Sequence, residues 1–186
     1  MSHFKPMRVR LSAGLTVAAL TLTSCYTAGS EVVRGSLFEP MEPLPASTSI
    51  EVVMPDDGIY GGRAYLGSGR AVASRIQQAA RDRFPDTSVI QAPSAGAAAP
   101  SERRTLRVEA VIHQWEDRAT NWSGVADKIR VQLTLRDGPR VRRDLTYSAH
   151  STWWTFVNSP PEELLDSYFD EAVLDLLPEV GDGVQP

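Results

Sequence analysis

Leu106-Arg107-Val108-Glu109-Ala110-Val111-Ile112-His113 and Ile129-Arg130-Val131-Gln132-Leu133-Thr134-Leu135-Arg136 are the stretches on which the fold turns. In both, apolar residues alternate with polar ones, the two-residue period of a strand with one face in a core and the other in water. Asp137-Gly138 follows the second stretch as a hairpin signal, lengthened by Pro139, and leads into a third strand from residue 141 to about 153. Three strands joined this way make an antiparallel meander.

Upstream, residues 49–54 form a β-branched run that stops at the turn signal Pro55-Asp56-Asp57-Gly58. Residues 68–84 then change period: Val72, Ile76, Ala79, Ala80 and Phe84 fall at three- and four-residue spacing, which predicts a helix stopped by Pro85, with Ser68 as its cap. A short strand at 88–91 precedes residues 92–101, an Ala/Pro/Gly segment that reads as a flexible loop. Downstream, Ser159-Pro160-Pro161-Glu162 has the form of a capping box with prolines in the first turn. Leu164, Leu165, Tyr168, Phe169, Ala172, Val173, Leu176 and Leu177 continue it as one apolar stripe up to Pro178. The expected fold class is α+β: a two-layer sandwich, with a mostly antiparallel sheet of about five strands and two helices on one face.

The N-terminus carries a different message. Lys5, Arg8 and Arg10 precede an apolar run at 11–22, too short to span a bilayer, and Leu22-Thr23-Ser24-Cys25 closes it. That ending resembles the bacterial lipobox, which places lipid on Cys25, the chain's only cysteine. Small side chains before the thiol let a peptidase reach the backbone, and a thiolate forms the thioether to diacylglycerol. The expected organisation is a lipoprotein signal peptide at 1–24, the lipidated Cys25 and a flexible tether at 25–48, a periplasmic α+β domain at 49–178 and a disordered tail at 179–186. Val32, Val33, Leu37 and Phe38 are the tether's apolar members. Without residues 1–24, 16 basic residues face 23 acidic ones, a charge of about −7, and no basic footprint for nucleic acid remains.

Two segments are candidates for binding. In His113-Gln114-Trp115-Glu116-Asp117-Arg118-Ala119-Thr120-Asn121-Trp122-Ser123-Gly124, with Asp127 beyond, two tryptophans interleave with acids and an arginine. Aromatic faces and fixed charges suit a sugar or peptide platform. The same residues also suit a frame, with the tryptophans closing the end of the core and Arg118 paired to Glu116, Asp117 or Asp127. The glycine-rich residues 56–69, with Tyr60 and Tyr65, end at a helix N-terminus, where backbone N–H groups attract anions, but they lack the complete glycine pattern of a dinucleotide or phosphate loop.

No metal or cofactor is expected. His113 and His150 lie on different strands, no HExxH occurs, and Ser123, Ser148 and Ser151 sit in no Gly-x-Ser-x-Gly elbow. The paired carboxylates Asp56/Asp57 and Glu116/Asp117 are sequence neighbours, so on a strand they point to opposite faces.

Three segments together, Asp57-Gly58-Ile59-Tyr60 through Gly67-Ser68-Gly69, Trp115-Glu116-Asp117-Arg118-Ala119-Thr120 with Trp122-Ser123-Gly124 and Asp127, and Ser159-Pro160-Pro161-Glu162-Glu163-Leu164-Leu165, resemble a family of uncharacterised proteobacterial lipoproteins known only as a domain of unknown function. The resemblance spans most of residues 49–177. It implies an envelope location and no assigned activity.

The resulting expectation is a non-enzymatic lipoprotein, anchored in membrane lipid through acylated Cys25, whose domain binds an envelope protein or glycan. Tyr26 is not the aspartate that resembles an inner-membrane retention signal, which favours the periplasmic face of the outer membrane. The candidate binding residues are Trp115, Glu116, Arg118, Trp122 and Asp127, with Tyr60 and Tyr65 beside them. The alternatives are a small-ligand module, in which the glycine and tryptophan loops enclose a pocket, and an accessory subunit of an envelope transport or assembly machine.

Overall fold

The computed structural model describes residues 27–91, 104–118, 125–152 and 160–181. Cys25 and the signal segment, the Ala/Pro/Gly segment at 92–101, Trp122 and residues 182–186 lie outside the described residues. In chain order the elements are β1 (Thr27–Phe38), β2 (Ser49–Val53), β3 (Ile59–Tyr60), β4 (Arg63–Ala64), α1 (Ser68–Arg81), β5 (Thr87–Ile90), β6 (Thr105–Glu116), β7 (Lys128–Asp137), β8 (Arg140–Ser151), a 3-10 turn (Pro161–Leu164) and α2 (Ser167–Leu176).

Six strands form one sheet in the order β1-β8-β7-β6-β2-β5, and β3 and β4 form a separate ribbon. The meander of β6, β7 and β8 is antiparallel, as the alternation and the Asp137-Gly138 turn require. The sheet as a whole is mixed, which corrects the expected mostly antiparallel sheet of about five strands. β2 runs parallel to both of its neighbours, β5 and β6. Parallel neighbours need a crossover of a dozen or so residues, and α1 supplies one between β2 and β5. The stretch from Ile90 to Thr105 is long enough for the second.

The core lies between one sheet face and the helices. Ile50, Val52, Leu106, Val108, Ile129, Val131, Leu133, Leu135 and Leu145 are buried against Val72, Ile76 and Phe84 from the first helix and its C-terminal turn, and against Phe169, Val173 and Leu176 from α2. Each such side chain stabilises the fold by about 1.5–3 kcal/mol relative to exposure. The helices touch each other, and the guanidinium of Arg75 grips Asp170 with two 2.6 Å hydrogen bonds across that seam. On the opposite sheet face, cross-strand pairs of opposite charge replace apolar contacts: Arg107 with Glu51 at 3.0 Å and Arg136 with Glu109 at 2.7 Å.

β1 departs most from the sequence reading, which placed a flexible tether there. Its twelve residues pair antiparallel with β8, from Thr27 opposite Ser151 to Phe38 opposite Arg143. Of the four apolar residues expected on the tether, Phe38 packs against the core, whereas Val32, Val33 and Leu37 stay exposed. The strand is fastened to α2 at its far end. Arg34 binds Asp175 through Nε and Nη2 at 2.9 and 2.7 Å. Arg143 donates from Nε to the carbonyl of Glu39 at 2.9 Å and from Nη1 to the carbonyls of Asp175 and Leu177 at 3.2 and 3.0 Å. It thereby satisfies the open carbonyls at the C-terminal end of α2.

The last helix is shorter than its apolar stripe suggests. Residues 161–164 form the 3-10 turn, Leu165 leaves helical conformation, and α2 begins at Ser167 with Asp166 as its N-cap, accepting from the Tyr168 N–H at 2.9 Å. The expected capping box does not start α2. Buried Tyr147 reinforces the break, donating to the Leu164 carbonyl at 2.8 Å with Asp166 Oδ1 3.2 Å away. Tyr168, expected on the buried stripe, is exposed. Beyond α2, residues 179–181 bridge to Leu44, with the Leu44 N–H donating to Glu179 and the Gly181 N–H to Leu44.

Candidate functional site

The tryptophan segment begins at a bulge. Leu106, Val108 and Ala110 face the core at even positions, with Ile112 packed against it, but the pairing of β6 with β7 steps from Ile112–Val131 to Gln114–Arg130 and leaves His113 as an extra residue. That insertion reverses the alternation and turns Trp115 to the core side, where it is 0% exposed. Gly58, at the turn before β3, lies against it so closely that a Cβ there would sit 2.7 Å from Trp115 Cβ and 2.9 Å from Ile112 Cγ2. The Tyr65 ring packs on Trp115 at 6.1 Å between centroids, tilted by 47°. The glycine loop and the tryptophan strand therefore meet at one end of the sheet, and they meet by packing: no face of Trp115 is open to a ligand. Its Nε1 donor is buried with no acceptor among the described residues.

The start of α1 is not an open anion site. Asp57 Oδ1 accepts from the Gly67 N–H at 3.1 Å and the Gly69 N–H at 2.8 Å, so a carboxylate from the preceding loop already meets the free N–H groups and the positive end of the helix dipole. Ser68, expected as the cap, is the first helical residue. Its hydroxyl accepts from the Gly58 N–H at 2.8 Å and donates to the Tyr65 carbonyl at 2.7 Å. Gly67 sits in the left-handed region at φ 95°, and a Cβ on Gly69 would lie 2.3 Å from the Pro55 carbonyl. These glycines serve close approach rather than ligand binding.

The charged residues of the segment divide into frame and surface. Asp127 is fully buried and accepts from the Arg118 N–H, while its own N–H donates to Ser151 Oγ at 2.9 Å and its carbonyl accepts from the Ser151 N–H at 3.0 Å. It ties Arg118, just after β6, to the end of β8. Glu116 pairs with Arg118 at 3.0 Å and accepts from Gln114 Nε2 at 3.0 Å. The Tyr65 hydroxyl donates to Asp117 Oδ2 at 3.2 Å. Burial pushes the Tyr65 pKa up to about 12, aided by the negative charges of Glu162, Asp117 and Asp127. Tyr60 is half-buried in the ribbon opposite Arg63. Asp57, Asp117, Ser151 and Glu162 were not among the residues singled out for this site. The two adjacent acids at 56–57, just ahead of a glycine-rich helix start, were the signal for Asp57. Among the described residues, no group of His, Cys, Asp and Glu is placed to hold a metal ion.

A second feature lies at the sheet edge. β1 overhangs the helix layer, and a groove of about 560 Å³ runs between it and α2, lined by Gly29, Ser30, Val32, Tyr168, Glu171, Ala172 and Asp175. Among the described residues β1 has one strand neighbour, β8, so its outer edge is open.

No protein-family model matches the chain, and no curated protein matches its sequence. Solved structures do. PelC from Paraburkholderia phytofirmans, a dodecamer, superposes with a TM-score of 0.59 at 15% identity over 81% of this chain and 99% of that one. A substituted PelC dodecamer in a second crystal form gives 0.55 at 14% identity over 81% and 98%. Protein XCC0632 from Xanthomonas campestris, of the DUF330 family, gives 0.42 at 12% identity over 75% and 86%. The fold is shared with the PelC subunit.

Proposed function

We propose that the chain is a cell-envelope lipoprotein, acylated on Cys25 and held at the periplasmic face of the outer membrane, whose non-catalytic domain binds another protein along β1. The observation that carries this reading is the open edge of a twelve-residue strand exposing Val32, Val33 and Leu37. A long unpaired edge is a template for further pairing unless something covers it. The groove beside it adds Tyr168 and Ala172 as apolar contacts, rimmed by Glu171 and Asp175. The fold shared with a subunit of a dodecamer supports a partner that is protein, either a second copy or another envelope component.

This reading moves the binding surface away from the tryptophan segment. Glu116, Arg118 and Tyr60 remain at its surface, whereas Trp115 and Asp127 are occupied in holding the end of the fold. A glycan platform or an enclosed small-ligand pocket built on Trp115 would need an open face of that indole, and Tyr65 and Gly58 cover it.

A photo-crosslinking residue at Val33 or Leu37, in the full acylated chain in native membranes, tests the proposal. The expected product is a discrete adduct with a second polypeptide, absent when the crosslinker is placed at Gln132 on the open sheet face. Recovery of monomer alone from both edge positions refutes edge binding.

A further inference from the structure

β1 starts two residues after Cys25, and extended chain covers at most about 3.5 Å per residue, so the Cα of Thr27 lies within about 7 Å of that of Cys25. The end of the sheet that contains Thr27 is therefore held at the level of the anchor. Thr27 pairs there with Ser151, and Lys128 with His150 and Glu116. The β3–β4 ribbon rides on β6 at this same end, through Gly58 and Trp115.

The ribbon and the turn after it carry the two most exposed large apolar side chains among the described residues, Leu66 at 84% and Ile59 at 70%. Arg63 lies in the ribbon, Arg70 in the first turn of α1 just after it, and Lys128 at the start of β7 at the same end of the sheet; all three are exposed and have no ion pair among the described residues. Most carboxylates of this end are engaged: Asp57 on the start of α1, Glu116 on Arg118, Asp117 on Tyr65. Asp56 is exposed beside them.

We propose that this end of the domain rests on the bilayer, with Ile59 and Leu66 entering the headgroup layer and Arg63, Arg70 and Lys128 meeting lipid phosphates. The proposal rests on acylation of Cys25. Chain length selects a membrane over a protein as the occupant. A gap of about 7 Å at the anchor is narrower than the 10 Å or more of a single helix with its side chains, so a folded partner does not fit between this end and the lipid. Three strand spacings separate β1 from β6, about 14 Å, so lipid anchor and apolar ribbon are two contact points that fix the orientation of the domain. Apolar side chains flanked by cations are the composition that binds an anionic lipid surface.

The native cysteine is consumed by the lipid, so a cysteine introduced elsewhere is the only free thiol. Full-length acylated chains carrying Ile59→Cys, Leu66→Cys or, at the far end of α1, Asp82→Cys are labelled with a fluorophore. They are reconstituted in phosphatidylethanolamine–phosphatidylglycerol vesicles containing a lipid with a nitroxide on its acyl chain. Thermal unfolding matching the parent confirms that each labelled chain is folded. The expected result is quenching at 59 and 66 and none at 82, with the loss of quenching at 66 when Arg63, Arg70 and Lys128 are replaced together by Glu. Labels at 59 and 66 that are as wet and unquenched as the label at 82 overturn the proposal. So do labels shielded from water yet untouched by the lipid nitroxide, a pattern that assigns the surface to a second copy or another protein. Mass spectrometry of the N-terminal peptide separates the two levels: an unacylated Cys25 overturns the anchor itself, whereas unquenched labels on an acylated chain overturn the docking alone.

Discussion

Replacing Trp115 distinguishes a frame from a binding platform. Trp115 is the largest fully buried side chain described, and truncating such a residue to Ala costs about 3–5 kcal/mol, part of it the ring contact with Tyr65. A domain of this size loses about 2–4 °C per kcal/mol, so Trp115→Ala lowers Tm by about 6–20 °C. Trp115→Phe behaves differently. The indole Nε1 has no acceptor among the described residues, and a buried unpaired donor costs about 1–3 kcal/mol, a penalty that phenylalanine does not carry. The smaller ring leaves a void worth about 1–2 kcal/mol, so the two effects nearly cancel and Trp115→Phe falls within about 1 kcal/mol of the parent. Urea denaturation followed by far-UV circular dichroism, with the slope checked for constancy, gives both values. A cost below about 1 kcal/mol for Ala would refute the buried-frame reading. A Phe variant as unstable as the Ala variant would show that Nε1 has an acceptor after all.

Three other perturbations follow from the same region. Asp57→Ala removes the acceptor for two N–H groups at the start of α1 and costs about 1–2 kcal/mol, while Asp57→Asn, which keeps the oxygen and loses the charge, costs less; thermal melts rank them. Gly58→Ala overpacks the contact with Trp115 and costs about 1–3 kcal/mol in urea titration. Trp115→Phe does not relieve it, because the clash is with Cβ. Folding favours the protonated forms of Tyr65, held up at about 12 from an ordinary 10, and of Tyr147, raised by burial and Asp166. Their stabilisation is complete below pH 10 and falls as pH rises from there, the share of Tyr65 being lost by about pH 12 and that of Tyr147 continuing to fall beyond it. The urea midpoint should therefore stay level up to about pH 9 and then fall, less steeply in Tyr65→Phe.

The parts of the fold that were legible are those whose neighbours are the same along the whole element. β6, β7 and β8 each bury one face, so Leu106, Val108, Val131 and Leu133 announce themselves by alternation, and Val72, Ile76 and Phe84 do the same for the first helix. β1 buries little on either face, so residues 27–38 carry no period and read as a tether. Strand direction leaves no mark on side-chain pattern. The parallel pairing of β2 could be inferred only from connection lengths, and the chain between Ile90 and Thr105, which includes the segment at 92–101 read as a flexible loop, has the span of a crossover.

The site was legible as composition and not as geometry. Trp115, Asp127 and Tyr65 do come together with the glycine loop, but one extra residue at His113 puts the indole inside. The cap of α1 comes from Asp57, ten and twelve residues from the groups it holds, beyond the reach of local cap patterns. At α2 the cap is Asp166, whereas the proline-led signal at 159–162 puts the helix start seven residues or so too early.

Arg143 gives the edge strand a mechanical property. Any tension transmitted through the chain ahead of Thr27 enters β1 at one end, while Arg143 and Arg34 clamp its other end to the carbonyls and carboxylate at the end of α2. Pulled along its length, β1 cannot slide past β8 without breaking the ladder's hydrogen bonds together, because those bonds lie across the direction of force. Load is thus shared along the strand and passed into the helix layer, so the domain resists being drawn out by its own N-terminus far better than it would resist having the same strand peeled sideways.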